Sequence, residues 1–180
     1  MIVLETERLL FRDHAPADLD PFCALEADPE VRRFVGGNPR TRERAEAKFL
    51  DFLLPVEDRL GLWATVYKPE DRYIGYCGVY PHFGVRGPIP FEGALGYTLA
   101  RSTWGRGLGT EAARGFVDFG FDELHLRRIV AMVEVGNGAS VRVMEKLGFR
   151  LWHLETINRR SFYHFELLPD SPRRLRPRAA

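Results

Sequence analysis

The stretch STWGRGLGTEAA, residues 102–113, decides how the rest of the chain is read. Gly105, Gly107 and Gly109 interleave with Trp104, Arg106 and Leu108, and an alanine-rich helix follows at once. Glycine tolerates positive φ and lets a ligand approach the main chain. A helix that starts from such a turn presents amide N–H groups without internal partners, and its dipole favours an anion there. The amides of Leu108 and Thr110 can join one concavity, with the Arg106 charge at its mouth. The plain alternative is a structural turn. The stretch lacks the Lys-Ser/Thr ending of a Walker loop and comes too late for the usual dinucleotide fold. ATPase, GTPase and NAD-dependent dehydrogenase readings are weakened accordingly.

Outward from this loop, strand and helix patterns alternate. Upstream, RLLFRD reads as a first strand, and APADLDPFCALEADPEVRRF as a helical region interrupted at Pro29. Thr41 to Leu60 carries a helical apolar pattern that Pro55 bends or ends. LWATVY and RYIGYCGVY read as strands, PHFGVRGPIP as a longer loop, and EGALGYTLA as the strand leading into the glycine turn. Downstream, Ala112, Ala113, Phe116, Val117 and Gly120 form one helix face, and RRIVAMVEV is a β-branched strand. NGASVRVMEKLGF gives a short helix that Gly148 ends. Strands near 149–156 and 162–168 complete a mixed sheet, an α/β or α+β layer structure. One domain over residues 1–168 and a basic tail over 169–180 are expected.

Composition narrows the class of partner. With 45% hydrophobic residues, 28% charged residues and a net charge of +1, the 180-residue chain gives no reason to expect nucleic acid as its main partner, and only its end, PRRLRPRAA, is strongly basic. No apolar run is long enough to cross a bilayer, and the start lacks a signal-peptide pattern, so a cytoplasmic location is expected. Cys23 and Cys77 have no metal-ligand spacing, nor do the five histidines, so no metal is expected.

Three pieces in order, TERLLFRD, GYTLARSTWGRGLGTEA and NGASVRVMEKLGF, resemble the GNAT superfamily of acetyl-CoA-dependent N-acetyltransferases, most closely its RimJ/RimL-like branch. The resemblance runs from about Thr6 to Leu168. It implies the acyl-CoA N-acyltransferase fold, a central mixed, mostly antiparallel sheet flanked by helices. It implies that Leu108, Gly109 and Thr110 contact the coenzyme A pyrophosphate through their backbone, with Gly105, Arg106 and Gly107 shaping the turn. Trp104 stands where the wider superfamily often has Arg or Gln, and is expected to wedge the loop against the core. Backbone groups of Thr98, Leu99 and Ala100 are implied to guide the pantetheine arm and polarise the acetyl carbonyl. Asn137 is either a pantetheine contact or a local cap. Ser140 either lies near the thioester or makes a first-turn hydrogen bond.

The implied reaction is direct attack of a neutral amine on acetyl-CoA in a ternary complex, without a metal or a covalent enzyme intermediate. Glu92, at the start of the strand before the loop, is the first candidate for proton acceptance; an exposed strand-end charge is the alternative. Met144 occupies the place of the family's usual proton-donating tyrosine and cannot donate, which leaves Ser140 or water to assist the thiolate. Tyr97 and Tyr163 are further polar aromatics without an assigned role. His82, Phe83, Phe91 and Glu92 are candidates for the acceptor site. The acceptor is a protein N-terminal amine or a small amine, and the protein a monomer or homodimer. The rival function is a noncatalytic acyl-CoA-binding regulatory domain with the same fold.

Overall fold

A computed structural model describes residues 1–169. Eight strands form one sheet: β1 (Ile2–Glu5), β2 (Leu9–Arg12), β3 (Trp63–Tyr67), β4 (Arg72–Gly84), β5 (Gly87–Leu99), β6 (Arg128–Glu134), β7 (Arg150–Ile157) and β8 (Arg160–Leu167). Their spatial order is β1-β2-β3-β4-β5-β6-β8-β7. Every neighbouring pair is antiparallel except β5 and β6, which run parallel. This is the mixed, mostly antiparallel sheet flanked by helices that the resemblance implies. The basic stretch expected as a tail lies, from residue 170 onward, outside the described residues.

Two layers of helix cover the sheet. Helices α4 (Leu108–Asp122) and α5 (Gly138–Leu147) lie on one face, where Ala112, Ala113 and Phe116 are fully buried. Small residues let α4 sit close: a Cβ on Gly120 would come within 2.9 Å of Ile129 Cδ1. On the opposite face, α1 (Leu19–Ala27), the short α2 (Pro29–Arg32) and α3 (Arg42–Phe52) pack Phe22, Leu25 and Phe49 against Ala64, Tyr73 and Tyr76. Strand alternation sorts the side chains: Cys77, Leu95, Ile129 and Phe165 belong to the α4 side, while Tyr76 belongs to the α1 side.

Three details differ from the sequence reading. The loop expected over PHFGVRGPIP is a hairpin extension of β4 and β5, turning at Val85–Arg86, with Phe83 opposite Pro88 and Gly84 opposite Gly87. Its prolines lie where neither β3 nor β6 pairs, so their missing N–H costs no ladder bond. The RLLFRD strand is the second one, preceded by β1. Helix α3 ends at Phe52, before Pro55, and Thr41 caps its start by accepting a hydrogen bond from the Arg44 amide at 3.4 Å.

Candidate active site

The parallel pairing of β5 with β6 is short: Glu92, Gly93 and Ala94 lie opposite Arg128, Ile129 and Val130. Beyond those residues the strands diverge, and a cleft of about 660 Å³ opens between them. Leu95 to Thr98 line one wall, Ala131 to Glu134 the other, and Asn137, Ser140 and Met144 of the α5 region close one end. The ladder decides which β5 backbone groups face this gap. Ala100 donates its N–H to Ile74 O at 2.7 Å, so alternation directs the amides of Thr98 and Gly96 to β4. The groups of Tyr97 and Leu99 point to the other side of β5, toward the opening. The expected backbone role therefore falls on Leu99 and its neighbour Tyr97, while the Thr98 and Ala100 amides serve the sheet.

The glycine loop follows directly. Gly105 and Gly107 adopt φ of 73° and 77°, the left-handed region that glycine enters without a Cβ penalty. No side chain caps α4, and its first internal bond runs from Glu111 N to Gly107 O at 3.0 Å. The preceding amides, those of Leu108, Gly109 and Thr110, are the orphan donors of a helix start. A Cβ on Gly105 would meet nothing within 4 Å, so the loop's outer side is open to a ligand. These features fit the pyrophosphate of acetyl-CoA. Leu108 anchors the turn with a buried side chain.

Two loop side chains depart from expectation. Trp104 does not wedge into the core: it is half exposed, and its Nε1–H donates to the Leu99 carbonyl at 2.8 Å. Indole needs a partner for that N–H, and the open edge of β5 supplies a carbonyl. Arg106 leans away from the mouth, donating to the Tyr67 hydroxyl at 2.7 Å with its guanidinium 4.7 Å from that ring.

Sequence reasoning missed what holds the loop in place. Glu111, in the first turn of α4, accepts from Thr6 Oγ1, the Arg8 amide and Arg8 Nε, each at 2.7 Å. Arg8 Nη1 in turn donates to the Arg106 carbonyl at 3.0 Å. Burial pushes the Glu111 carboxyl up, but the bonds from Thr6 and Arg8 outweigh it and hold the group below its ordinary range. The signal was present in TERLLFRD and in an acidic residue one turn into the helix.

At the far side of the cleft, Ser140 Oγ accepts from the Tyr97 hydroxyl at 3.1 Å. Burial pushes the Tyr97 phenol up to about 12, so it remains a donor through the neutral range. Asn137 is the N-cap of α5, its side chain accepting from the Ser140 amide at 3.1 Å while it also borders the cleft. Met144 is buried core.

The structure does not bring His82, Phe83, Phe91 and Glu92 to this cleft. Glu92 lies at the paired end of β5, four residues or about 13 Å of extended chain from Gly96. Its carboxylate meets His82 Nδ1 at 2.8 Å and Arg128 Nη1 at 3.4 Å. Phe83 and Phe91 are exposed on the hairpin, with Arg127 stacked 4.9 Å from the Phe91 ring. The cleft's outer half is instead built by Phe34, Tyr76, Tyr80 and Phe162. A second cavity of about 840 Å³ runs along α4, where Gly107 and Thr110 of the glycine turn and the cations Arg114 and Lys146 share a rim with Glu5, Glu7, Glu111 and Glu123. Among the described residues, no three His, Cys, Asp or Glu side chains converge as a metal site, and no helix is long and apolar enough to cross a membrane.

Comparison with known proteins agrees with this geometry. The family described as "Acetyltransferase (GNAT) domain" matches residues 8–150. "Uncharacterized N-acetyltransferase p20" of Bacillus licheniformis is 32% identical over 152 residues, 83% of each chain. A GNAT-family acetyltransferase structure from Bacillus anthracis shares 23% identity at a TM-score of 0.80, covering 93% of this chain and 98% of that one. Spermidine N-acetyltransferase from Vibrio cholerae, solved with CoA and spermine, has the same fold at 16% identity and a TM-score of 0.73, covering 92% and 98%. The open gap between β5 and β6, the glycine loop at the start of α4 and these matches have one reading: the chain belongs to the GNAT family of acetyltransferases.

Proposed function

We propose that the protein transfers an acetyl group from acetyl-CoA to a primary amine by direct attack in a ternary complex. The observation that carries this reading is the divergence of β5 from β6 beyond Ala94 and Val130, with the Tyr97–Ser140 pair lining the gap and the uncapped start of α4 a few residues beyond the end of β5. Acetyl-CoA supplies an activated thioester at this site. The Leu108, Gly109 and Thr110 amides hold its pyrophosphate end, and the backbone groups of Tyr97 and the Leu99 amide align the arm. An N–H of this edge donates to the carbonyl oxygen as negative charge develops there. Holding both reactants in one cleft removes much of the entropic barrier.

Proton handling follows from who donates to whom. Because Tyr97 donates to Ser140 Oγ, the serine's own proton is free to be offered to the departing sulfur. Met144 has no proton to give, so Ser140 takes the donor role with Tyr97 orienting it. The amine's proton leaves through water, reaching Glu92 only through a chain of waters along β5, and one proton returns through water to Ser140, so that donor and acceptor are both restored. Trp104 before the loop and Ser140 on α5 support assignment to the RimJ/RimL-like branch.

Calorimetric titration with acetyl-CoA, paired with thiol release across a panel of small amines and peptides, tests the proposal. Binding together with transfer to at least one amine is expected. Tight binding without transfer to any acceptor would replace the enzyme by a regulatory acyl-CoA sensor.

A further inference from the structure

The outer half of the cleft opens on the α1 side of the sheet, and its walls are apolar and aromatic. Tyr76 and Tyr80 come from β4, Phe162 from β8, Phe34 from the turn after α2, and Leu62 from just before β3. Tyr80 lies against the reacting strand: a Cβ on Gly96 would be 2.9 Å from its Cε1 and 3.6 Å from Leu62 Cδ2. Gly96 thus seats a ring and an aliphatic side chain beside Tyr97. Tyr76 is held by Phe52, with ring centroids 5.1 Å apart, and its hydroxyl is committed to Glu26 at 3.2 Å.

The charges around this half are already matched. Of the cleft-lining residues, Glu134 and Arg160 are the ionic pair, and they bind each other through Arg160 Nε at 2.7 Å and a second bond from Nη2. Behind Tyr76, the buried Glu26 accepts from Arg32 at 3.0 Å and Arg40 at 2.7 Å. Among the described residues, no cleft-lining carboxylate is left without an arginine partner to receive a second ammonium group. Aromatic faces attract a cation, but less strongly than its loss of hydration opposes burial.

Resting on the acetyltransferase reading, we infer that the acceptor is a primary amine carried on one apolar, ring-bearing body with no second charge, an arylalkylamine type of substrate. The ring stacks among Tyr80, Phe162 and Phe34, and the amine reaches the gap at Gly96–Tyr97 as its neutral form. A polyamine would leave its distal ammonium groups desolvated and unpaired.

Steady-state transfer from acetyl-CoA to 2-phenylethylamine, tyramine, spermidine and an alanine-initiated peptide tests this. The expected kcat/KM for the two aryl amines exceeds that for spermidine and for the peptide by at least ~10-fold. Tyr80→Ala should raise KM for 2-phenylethylamine about 10-fold while the KM for acetyl-CoA stays within about twofold. Arg160→Met, checked by its melting curve, should release Glu134 and raise kcat/KM for spermidine. Equal or better use of spermidine or the peptide by the wild-type protein would overturn the acceptor class and leave the acetyltransferase reading standing. Acetyl-CoA binding with no transfer to any acceptor would overturn both.

Discussion

The two ends of the cleft are built by opposite strategies. The donor end is local: nine consecutive residues, from Gly105 at the turn to Ala113 in α4, supply the amides, the turn geometry and the helix. The acceptor end is assembled from β4, β8, the turn after α2 and the segment before β3, which meet only in the folded sheet. The donor end works through backbone and tolerates many side chains. The acceptor end works through side chains and has no contiguous signature.

Breaking the shared middle should have the largest effect. Ser140→Ala should lower kcat by about 10²–10⁴-fold, with acetyl-CoA affinity nearly unchanged in calorimetry. Tyr97→Phe should give a smaller loss in the same direction, since it orients the serine without being the donor itself.

Acid should separate the two ends next. His14 packs against Phe52, with ring centroids 4.7 Å apart, in the helical layer on the acceptor side. Burial lowers its pKa to about 4, so the folded state holds it neutral. The unfolded chain takes up a proton below about 6.5, so stability is lost as pH falls from there to about 4. The loss amounts to about 3 kcal/mol. Chemical denaturation across that range should show it, and His14→Phe should flatten the slope. Glu111 is held below its ordinary range, so its contribution at the donor end is lost only at lower pH.

The donor end has its own weak point. Arg8→Met removes the link from Glu111 to the Arg106 carbonyl and should weaken coenzyme A about 10-fold, or about 1.4 kcal/mol, without changing acceptor preference. Gly107→Ala should cost about 1 kcal/mol of stability through its positive φ, with a small loss of coenzyme A affinity. Unchanged calorimetric affinity in folded forms of both variants would separate the loop from the cofactor.

This asymmetry also explains what the sequence could convey. Most strands after β1, together with α4, α5 and the Gly148 stop, were readable because apolar periodicity and turn residues are local properties. The hairpin was hidden because Pro81, Pro88 and Pro90 look like breakers, and only the absence of outer neighbours makes them harmless. Position along β5 pointed to Glu92, but its distance from the gap was not legible, because the point where β5 and β6 part is set by pairing across the sheet. Phe34 and Phe162 carry no mark that could associate them over 128 residues of separation. Tyr76 and Tyr80 did carry one, as polar aromatics on the strand face opposite Cys77 and Val79.

The brevity of the β5–β6 pairing has a mechanical consequence. Within the sheet, three residue pairs are the seam between the half ending at Leu99 and the half beginning at Arg128. A ligand lying in the gap below that seam acts as a splint across two leaves. At 100 times its Kd, coenzyme A should add about 2.7 kcal/mol to global stability. Amide exchange should slow most in Tyr97, Leu99 and the facing residues of β6, which have the gap instead of a neighbouring strand.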